Sequence, residues 1–110
     1  MEITSYIAEE ATVLACTGRL NMVSANHLRE AVRGVVADGA TRVVVDLAET
    51  TFIDSSGLGA LIAGLKETRQ VGGDLRIAAA GEQVRTVLRL TSLDQVLKPY
   101  DDVATARQGW

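Results

Sequence analysis

Cysteine, proline and aromatic residues are scarce in this sequence. The 110 residues include one cysteine and one proline, and only 4% of them are aromatic. The single Cys16 excludes an intrachain disulfide and leaves no second thiolate for a metal site, a usage typical of reducing compartments. We therefore expect a cytoplasmic protein without a metal ion or a cofactor.

Basic clusters and long apolar runs are also absent. The 11 lysine and arginine residues are scattered and the formal net charge is −3 at pH 7, so nothing attracts a nucleic-acid backbone. No apolar run reaches the ~20 residues of a membrane-spanning helix, and the first residues do not form a basic and apolar leader. We expect no direct nucleic-acid binding, no membrane insertion and no targeting segment.

Apolar residues make up 47% of the chain, which is enough for a packed core. A chain of this length buries roughly two-thirds of its unfolded surface, and no linker, repeat or low-complexity stretch interrupts it. We therefore expect one domain spanning residues 1–110. Because aromatic residues are few, valine, leucine, isoleucine and alanine must fill its core.

Apolar periodicity predicts an α/β chain in the order ββαβαβαβα. Short β-branched runs predict strands, whereas capping residues, glycines and apolar spacings of three and four residues predict helices. The strands are expected at about residues 3–6, 12–17, 42–47, 75–79 and 93–97, with Pro99 ending the last of them. The helices are expected at about residues 24–38, 54–72, 82–90 and 101–107.

The most distinctive segment joins a short apolar run to the start of the second helix. It reads Phe52-Ile53-Asp54-Ser55-Ser56-Gly57-Leu58-Gly59. Backbone N–H groups at a helix start are unpaired, and the helix dipole favours negative charge there. The segment therefore predicts either ordinary capping by its polar side chains or a place for an anion. From spacing alone, ordinary capping is the better interpretation.

Two glycines in the first turns of this helix need an explanation. Gly57 and Gly59 each cost about 1 kcal/mol relative to alanine in a helix interior. Their presence indicates that another backbone approaches closely, either that of a partner or that of the protein's own sheet. For Gly64, further along the helix, packing on the protein's own sheet is the better interpretation.

The sequence offers no set of residues for catalysis. His27 is the only histidine and is expected to face solvent, and no Gly-x-Ser-x-Gly or phosphate-loop pattern surrounds the serines. A serine nucleophile without an oriented base is inactive, and Cys16 is interpreted as a core residue. We therefore expect a protein that is not an enzyme. Trp110, at the end of the chain, is interpreted as a tail residue of no consequence.

Three segments occur in an order that resembles one family over almost the whole chain. They are Thr17-Gly18-Arg19-Leu20-Asn21, Val45-Asp46-Leu47 leading into the serine segment, and Leu90-Thr91-Ser92-Leu93-Asp94. Together they resemble the anti-sigma factor antagonists, the single-domain members of the STAS family. The resemblance implies a mixed β-sheet of about five strands with helices packed mainly on one face.

The resemblance also implies a function and a set of site residues. A protein of this family binds an anti-sigma factor that is also a serine kinase, which releases a sigma factor; phosphorylation ends the binding and a serine phosphatase restores it. The phosphoacceptor would be Ser56, the second hydroxyl of the Asp-Ser-Ser-Gly motif. The partner-binding residues would be Asn21, Asp54, Ser55, Gly57, Leu58 and Gly59, with Met22, Glu82 and Gln83 contributing to the choice of partner.

One departure and one alternative accompany this interpretation. Many relatives carry an acid where this chain has Asn21, and an amide forms hydrogen bonds but cannot act as a base. The alternative is a STAS scaffold or accessory subunit that binds its partner without phosphorylation, in a stress-signalling or lipid-transport complex.

Overall fold

The structure is a computed structural model that describes residues 1–110. Its strands are β1 (Glu2–Ala8), β2 (Ala11–Leu20), β3 (Arg42–Asp46), β4 (Thr50–Ile53), β5 (Asp74–Ala78) and β6 (Pro99–Tyr100). Its helices are α1 (Ala25–Ala37), α2 (Ser55–Gln70), α3 (Glu82–Leu90) and α4 (Val103–Ala106), and a 3₁₀ turn lies at Leu93–Gln95. No helix is both long and apolar enough to cross a bilayer.

The sheet is mixed, with one antiparallel pair and otherwise parallel pairs. β1 and β2 form the antiparallel hairpin, and the order continues β1-β2-β3-β5-β6. The ten residues of β2 pair with β3 in their first half and with β4 at their end, where Leu20 lies opposite Ile53. Strands β3 and β4 therefore pair with the same side of β2, one after the other. The end of β4 lies beside the carboxyl end of β2.

The core lies mainly on one face of the sheet. Apolar residues of α1, α2 and α3 pack there against Val43 and Val45 of β3. The intervening Val44 points to the other face, because side chains alternate along a strand, and belongs to a smaller cluster with Ala106 of α4. All three valines are fully buried, which confirms the predicted central strand covered on both faces.

The predicted α/β order holds, but its last strand was placed wrongly and one strand was not predicted. Residues 93–95 form a 3₁₀ turn, not a strand, after Ser92 reverses the chain with a left-handed φ of 59°. Pro99 begins β6 instead of ending a strand, which is possible because a proline at the first position of an edge strand removes no needed N–H. The unpredicted strand is the four-residue β4, so the sheet has six strands instead of about five.

The interpretation of Trp110 as a tail residue of no consequence is wrong. The Arg76 guanidinium lies 4.2 Å from the centroid of the Trp110 ring and 5.2 Å from that of Tyr100. The indole Nε1 of Trp110 donates a hydrogen bond of 2.7 Å to the carbonyl oxygen of Arg107. Arg76 also donates to the carbonyl oxygens of Ala106, Gln108 and Gly109. These contacts hold the C-terminal segment against the smaller cluster.

We predict that Trp110→Ala lowers the free energy of unfolding by about 1–2 kcal/mol, because it removes a stacked cation–π pair and its apolar cover. Urea denaturation followed by circular dichroism measures this change. Leu90→Ala is the control: that side chain is 77% exposed, so its removal should change the free energy by less than about 0.5 kcal/mol. Equal effects of the two substitutions would contradict the role of Trp110.

Candidate functional site

The serine segment lies where two parallel strands end side by side. Leu20 closes β2 and Ile53 closes β4, and the two residues are paired in register. The N–H of the next residue, Asp54, donates to the carbonyl oxygen of Leu20 at 3.3 Å. The loop that begins at Asn21 and the helix that begins at Ser55 therefore leave the same edge of the sheet. Open sheets of parallel strands commonly place binding sites at this edge.

Asp54 is the N-cap of α2. Its backbone is extended and its carboxylate Oδ1 accepts a hydrogen bond of 2.9 Å from the N–H of Gly57. This bond confirms capping as one use of the serine segment. Ser55 and Ser56 are the first two residues of the helix, and their N–H groups and hydroxyls form no hydrogen bond within the chain. Ser55 is exposed and Ser56 is half-buried.

Gly57 is packed directly against the end of β2. A Cβ atom at this position would lie 2.3 Å from the carbonyl oxygen of Leu20 and 2.8 Å from Cγ1 of Ile53. The backbone of Leu20 cannot move enough to relieve such a clash. Close packing on the protein's own sheet therefore explains why this residue is a glycine. Gly57 and Leu58 are both buried; they lie beneath the surface that the serines present. Gly64 likewise packs on its own fold, with a Cβ position 3.0 Å from Cδ1 of Leu75.

Asn21 orders the loop beside the serines. Its Oδ1 accepts hydrogen bonds from the N–H groups of Val23 at 3.0 Å and Ser24 at 3.3 Å. Ser24 precedes α1 as predicted, but its side chain does not cap that helix. Its hydroxyl instead donates to the carbonyl oxygen of Arg19 at 2.6 Å and accepts from the N–H of Asn21 at 3.0 Å. The amide of Asn21 thus has a structural use that requires only an acceptor.

Gln83 has a role that sequence reasoning missed. Its side-chain amide accepts from the N–H of Ile53 at 2.9 Å and donates to the carbonyl oxygen of Ile53 at 3.0 Å. The amide thus pairs with the backbone of β4 in the way that the backbone of a neighbouring strand would. Sequence reasoning assigned Gln83 to the choice of partner, and no local pattern could have linked residues 30 positions apart. Glu82, by contrast, is exposed at the start of α3.

Comparison with known proteins agrees with the fold. The pattern of the STAS domain family matches residues 2–106. The chain belongs to the STAS domain family. It is 30% identical to the anti-sigma-F factor antagonist RsfB of Mycobacterium tuberculosis, over 97% of this chain and 88% of that protein.

Solved structures agree with the assignment to the STAS family. An anti-sigma factor antagonist from Mycobacterium paratuberculosis superposes with a TM-score of 0.85 at 28% identity, covering 96% of this chain and 89% of the other. The phosphorylated form of the Bacillus cell fate determinant SpoIIAA shares the fold, with a TM-score of 0.71 at 19% identity over 94% of this chain and 96% of the other. The resemblance deduced from sequence is thus confirmed at the level of family and fold.

The surface of this STAS domain around the serines is partly apolar. Met22 is 77% exposed and Val23 is 87% exposed, both in the loop that Asn21 orders. These two side chains place apolar area beside the polar groups of the serine segment. We define the serine surface as Asn21, Met22, Val23, Asp54, Ser55, Ser56 and Gly59.

The remaining reactive side chains lie away from a catalytic arrangement. Burial, reinforced by the carboxylate of Asp46, raises the pKa of Cys16 to about 12, so this buried thiol stays protonated and is not a nucleophile. It is a core residue, as predicted. His27 is exposed on α1, also as predicted. No group of three or more histidine, cysteine, aspartate or glutamate side chains is placed to hold a metal ion.

We predict that Gly57→Ala costs this STAS domain at least about 2 kcal/mol of unfolding free energy, because a methyl group cannot share the space of the Leu20 carbonyl. Gly34→Ala is the matched control. It lies in the exposed interior of α1 with no atom within 4 Å of its Cβ position, so alanine should stabilise the protein by up to about 1 kcal/mol. Denaturant melts of the two variants measure the contrast, and a neutral Gly57→Ala would refute the close contact.

Proposed function

We propose that this STAS domain is an anti-sigma factor antagonist that acts by phosphorylation-controlled partner switching. With Ser56 unmodified, it binds an anti-sigma factor that is also a serine kinase, and a sigma factor is released. The observation that carries the proposal is the Asp54-capped start of α2, which holds two serine hydroxyls without hydrogen bonds beside an exposed apolar loop. Relatives over most of the chain are named anti-sigma factor antagonists.

Ser56 is the proposed phosphoacceptor. Its hydroxyl has no hydrogen bond within the chain to break before transfer, and it stands second in a helix that the buried Gly57 fixes against the sheet. A phosphate there adds about −1.5 to −2 charges one position beyond Ser55 and two beyond the carboxylate of Asp54. The free N–H groups at the helix start stabilise part of that charge. The modified domain is therefore expected to keep its fold.

Partner binding is expected to suffer more than folding. A partner that covers the serine surface must remove water from whatever it encloses, and a doubly charged phosphate is far costlier to desolvate than a hydroxyl. Met22 and Val23 supply apolar contact area to the docking surface, while Asn21, Asp54, Ser55 and Gly59 supply polar and backbone contacts. Gly57 and Leu58 contribute indirectly, since both are buried and set the position of the helix start.

The chemistry of the cycle belongs to the partners. The kinase activity resides in the anti-sigma factor, and a serine phosphatase returns the domain to its binding state. The domain itself acts as a regulator and supplies only the hydroxyl and the surface. We place this exchange in the cytoplasm, where sigma factors engage RNA polymerase.

We predict that incubation with the cognate anti-sigma factor kinase and ATP adds one phosphate to the wild-type protein, detected by intact mass. Ser56→Ala should abolish the modification because it removes the accepting oxygen. Ser55→Ala is the matched control and should leave the modification in place. The two substitutions delete the same atom from adjacent positions of one helix.

Either of two outcomes would overturn this assignment. If Ser56→Ala is modified as fully as the wild type, another residue is the acceptor. If the wild type binds the kinase but takes up no phosphate, the domain is a STAS scaffold that holds its partner without modification.

A further inference from the structure

One arginine next to the serine segment has no partner. The Nε atom of Arg29, in α1, is the only buried side-chain nitrogen or oxygen in the structure without a hydrogen bond. The Arg29 guanidinium forms no ion pair either, whereas Arg33, one turn later in α1, pairs with Glu67 at 3.2 Å. A buried donor without an acceptor costs about 1–3 kcal/mol. The position of Arg29 therefore calls for an explanation.

Arg29 lies against the first turns of α2. A Cβ atom on Gly59 would lie 3.3 Å from Nη2 of Arg29, so the absence of a side chain at Gly59 makes room for the guanidinium. Helical side chains lean toward the N-terminus of their helix. Later in both helices, Val32 lies beside Gly64 and Arg33 pairs with Glu67. The two helices therefore run in the same direction, and the Arg29 side chain leans toward the beginning of α2.

Ser56 shares a helix face with the residues that α1 contacts. Residues at spacings of three and four lie on one face, and this face of α2 carries Ser56, Gly59, Ala63 and Glu67. Glu67 supplies the acceptor for Arg33. The corresponding positions beside Arg29 are Gly59 and Ala63, which offer no side-chain acceptor. The next position on the same face is Ser56, one turn before Gly59.

We propose that Arg29 is the intramolecular counter-ion of Ser56 when Ser56 carries a phosphate. This inference rests on the proposed function. It assigns Arg29 a positioning role, which is to hold the phosphate on Ser56 without help from a partner protein. A phosphate on Ser56 would supply the acceptor that the first turns of α2 lack, and the guanidinium fork suits phosphate oxygens. Arg29 would offset the repulsion between the phosphate and Asp54 and hold the phosphate against the domain.

The test uses phosphoserine built into the protein at position 56 during translation, so that no kinase is needed. Phosphorus NMR then follows the second ionisation of the phosphate, whose ordinary pKa is about 6. Arg29→Gln should raise this pKa by about one pH unit, because a nearby cation favours the dianion. Arg29→Lys should keep most of the wild-type value. Asp54, the nearest acid in the sequence, is unchanged in every variant.

Two controls separate this effect from general charge and from misfolding. Arg33→Gln removes a positive charge that already has a partner, and it should leave the phosphate pKa within about 0.3 of the wild-type value. Phosphoserine at the exposed position 55, in the otherwise unchanged protein, should titrate at a higher pH than phosphoserine at position 56. This second comparison needs no substitution of Arg29, so it remains decisive if Arg29→Gln unfolds.

The counter-ion role would be refuted if Arg29→Gln and Arg33→Gln shifted the titration equally. It would also be refuted if phosphoserine titrated alike at positions 55 and 56. Failure of the proposed function looks different, because it appears as a lack of phosphate transfer to Ser56 by the kinase. The NMR result, obtained with phosphoserine already in place, does not depend on that transfer.

Discussion

The contact between Gly57 and the carbonyl of Leu20 fixes the geometry on which the rest of the site depends. With no Cβ in the way, the first turn of α2 presses onto the end of β2, and Asp54 can cap that turn. The end of β4 beside it is held by the side-chain amide of Gln83. The serine hydroxyls are therefore displayed from a helix start that is packed from below and hydrogen-bonded at its side. In the proposed function, rigidity at this point would let a change of charge act on a partner without a change of fold.

The start of α2 carries the negative charge of Asp54, and the nearby positive charge is that of Arg29 on the neighbouring helix α1. Asp54 occupies one N–H group of the helix start, and those of Ser55 and Ser56 remain. An added phosphate meets these two donors, a repelling carboxylate and, in our account, the guanidinium of Arg29. In the proposed cycle the two donors and the guanidinium would offset part of the repulsion from Asp54 within the domain. Under a docked partner the phosphate would also lose its water, a cost that the proposed function assigns to binding and not to folding. In the proposed function, the switch therefore depends on where the phosphate charge is desolvated.

Local patterns were sufficient to predict the elements that are long or capped. The three long helices, the central valine strand and the helix start at Asp54 follow from spacing and capping chemistry, and the family resemblance assigned the fold. What could not be predicted depends on contacts distant in sequence. The four-residue β4 has no periodicity of its own and is a strand because β2 lies beside it. Gln83 acts on Ile53 from 30 residues away, and Trp110 is held by Arg76. Whether Gly57 serves the sheet or a partner was likewise decided by the position of Leu20.

The most direct test of the account compares the affinity of the cognate anti-sigma factor for the unmodified domain and for the domain carrying phosphoserine at position 56. Calorimetry gives the two dissociation constants, and amide hydrogen exchange of α2 reports whether its first turns stay folded. We predict that the phosphate weakens binding at least about tenfold, or 1.4 kcal/mol, with exchange in α2 unchanged. Equal affinities, or a loss of binding accompanied by unfolding of α2, would contradict a switch that acts through charge on a fixed surface.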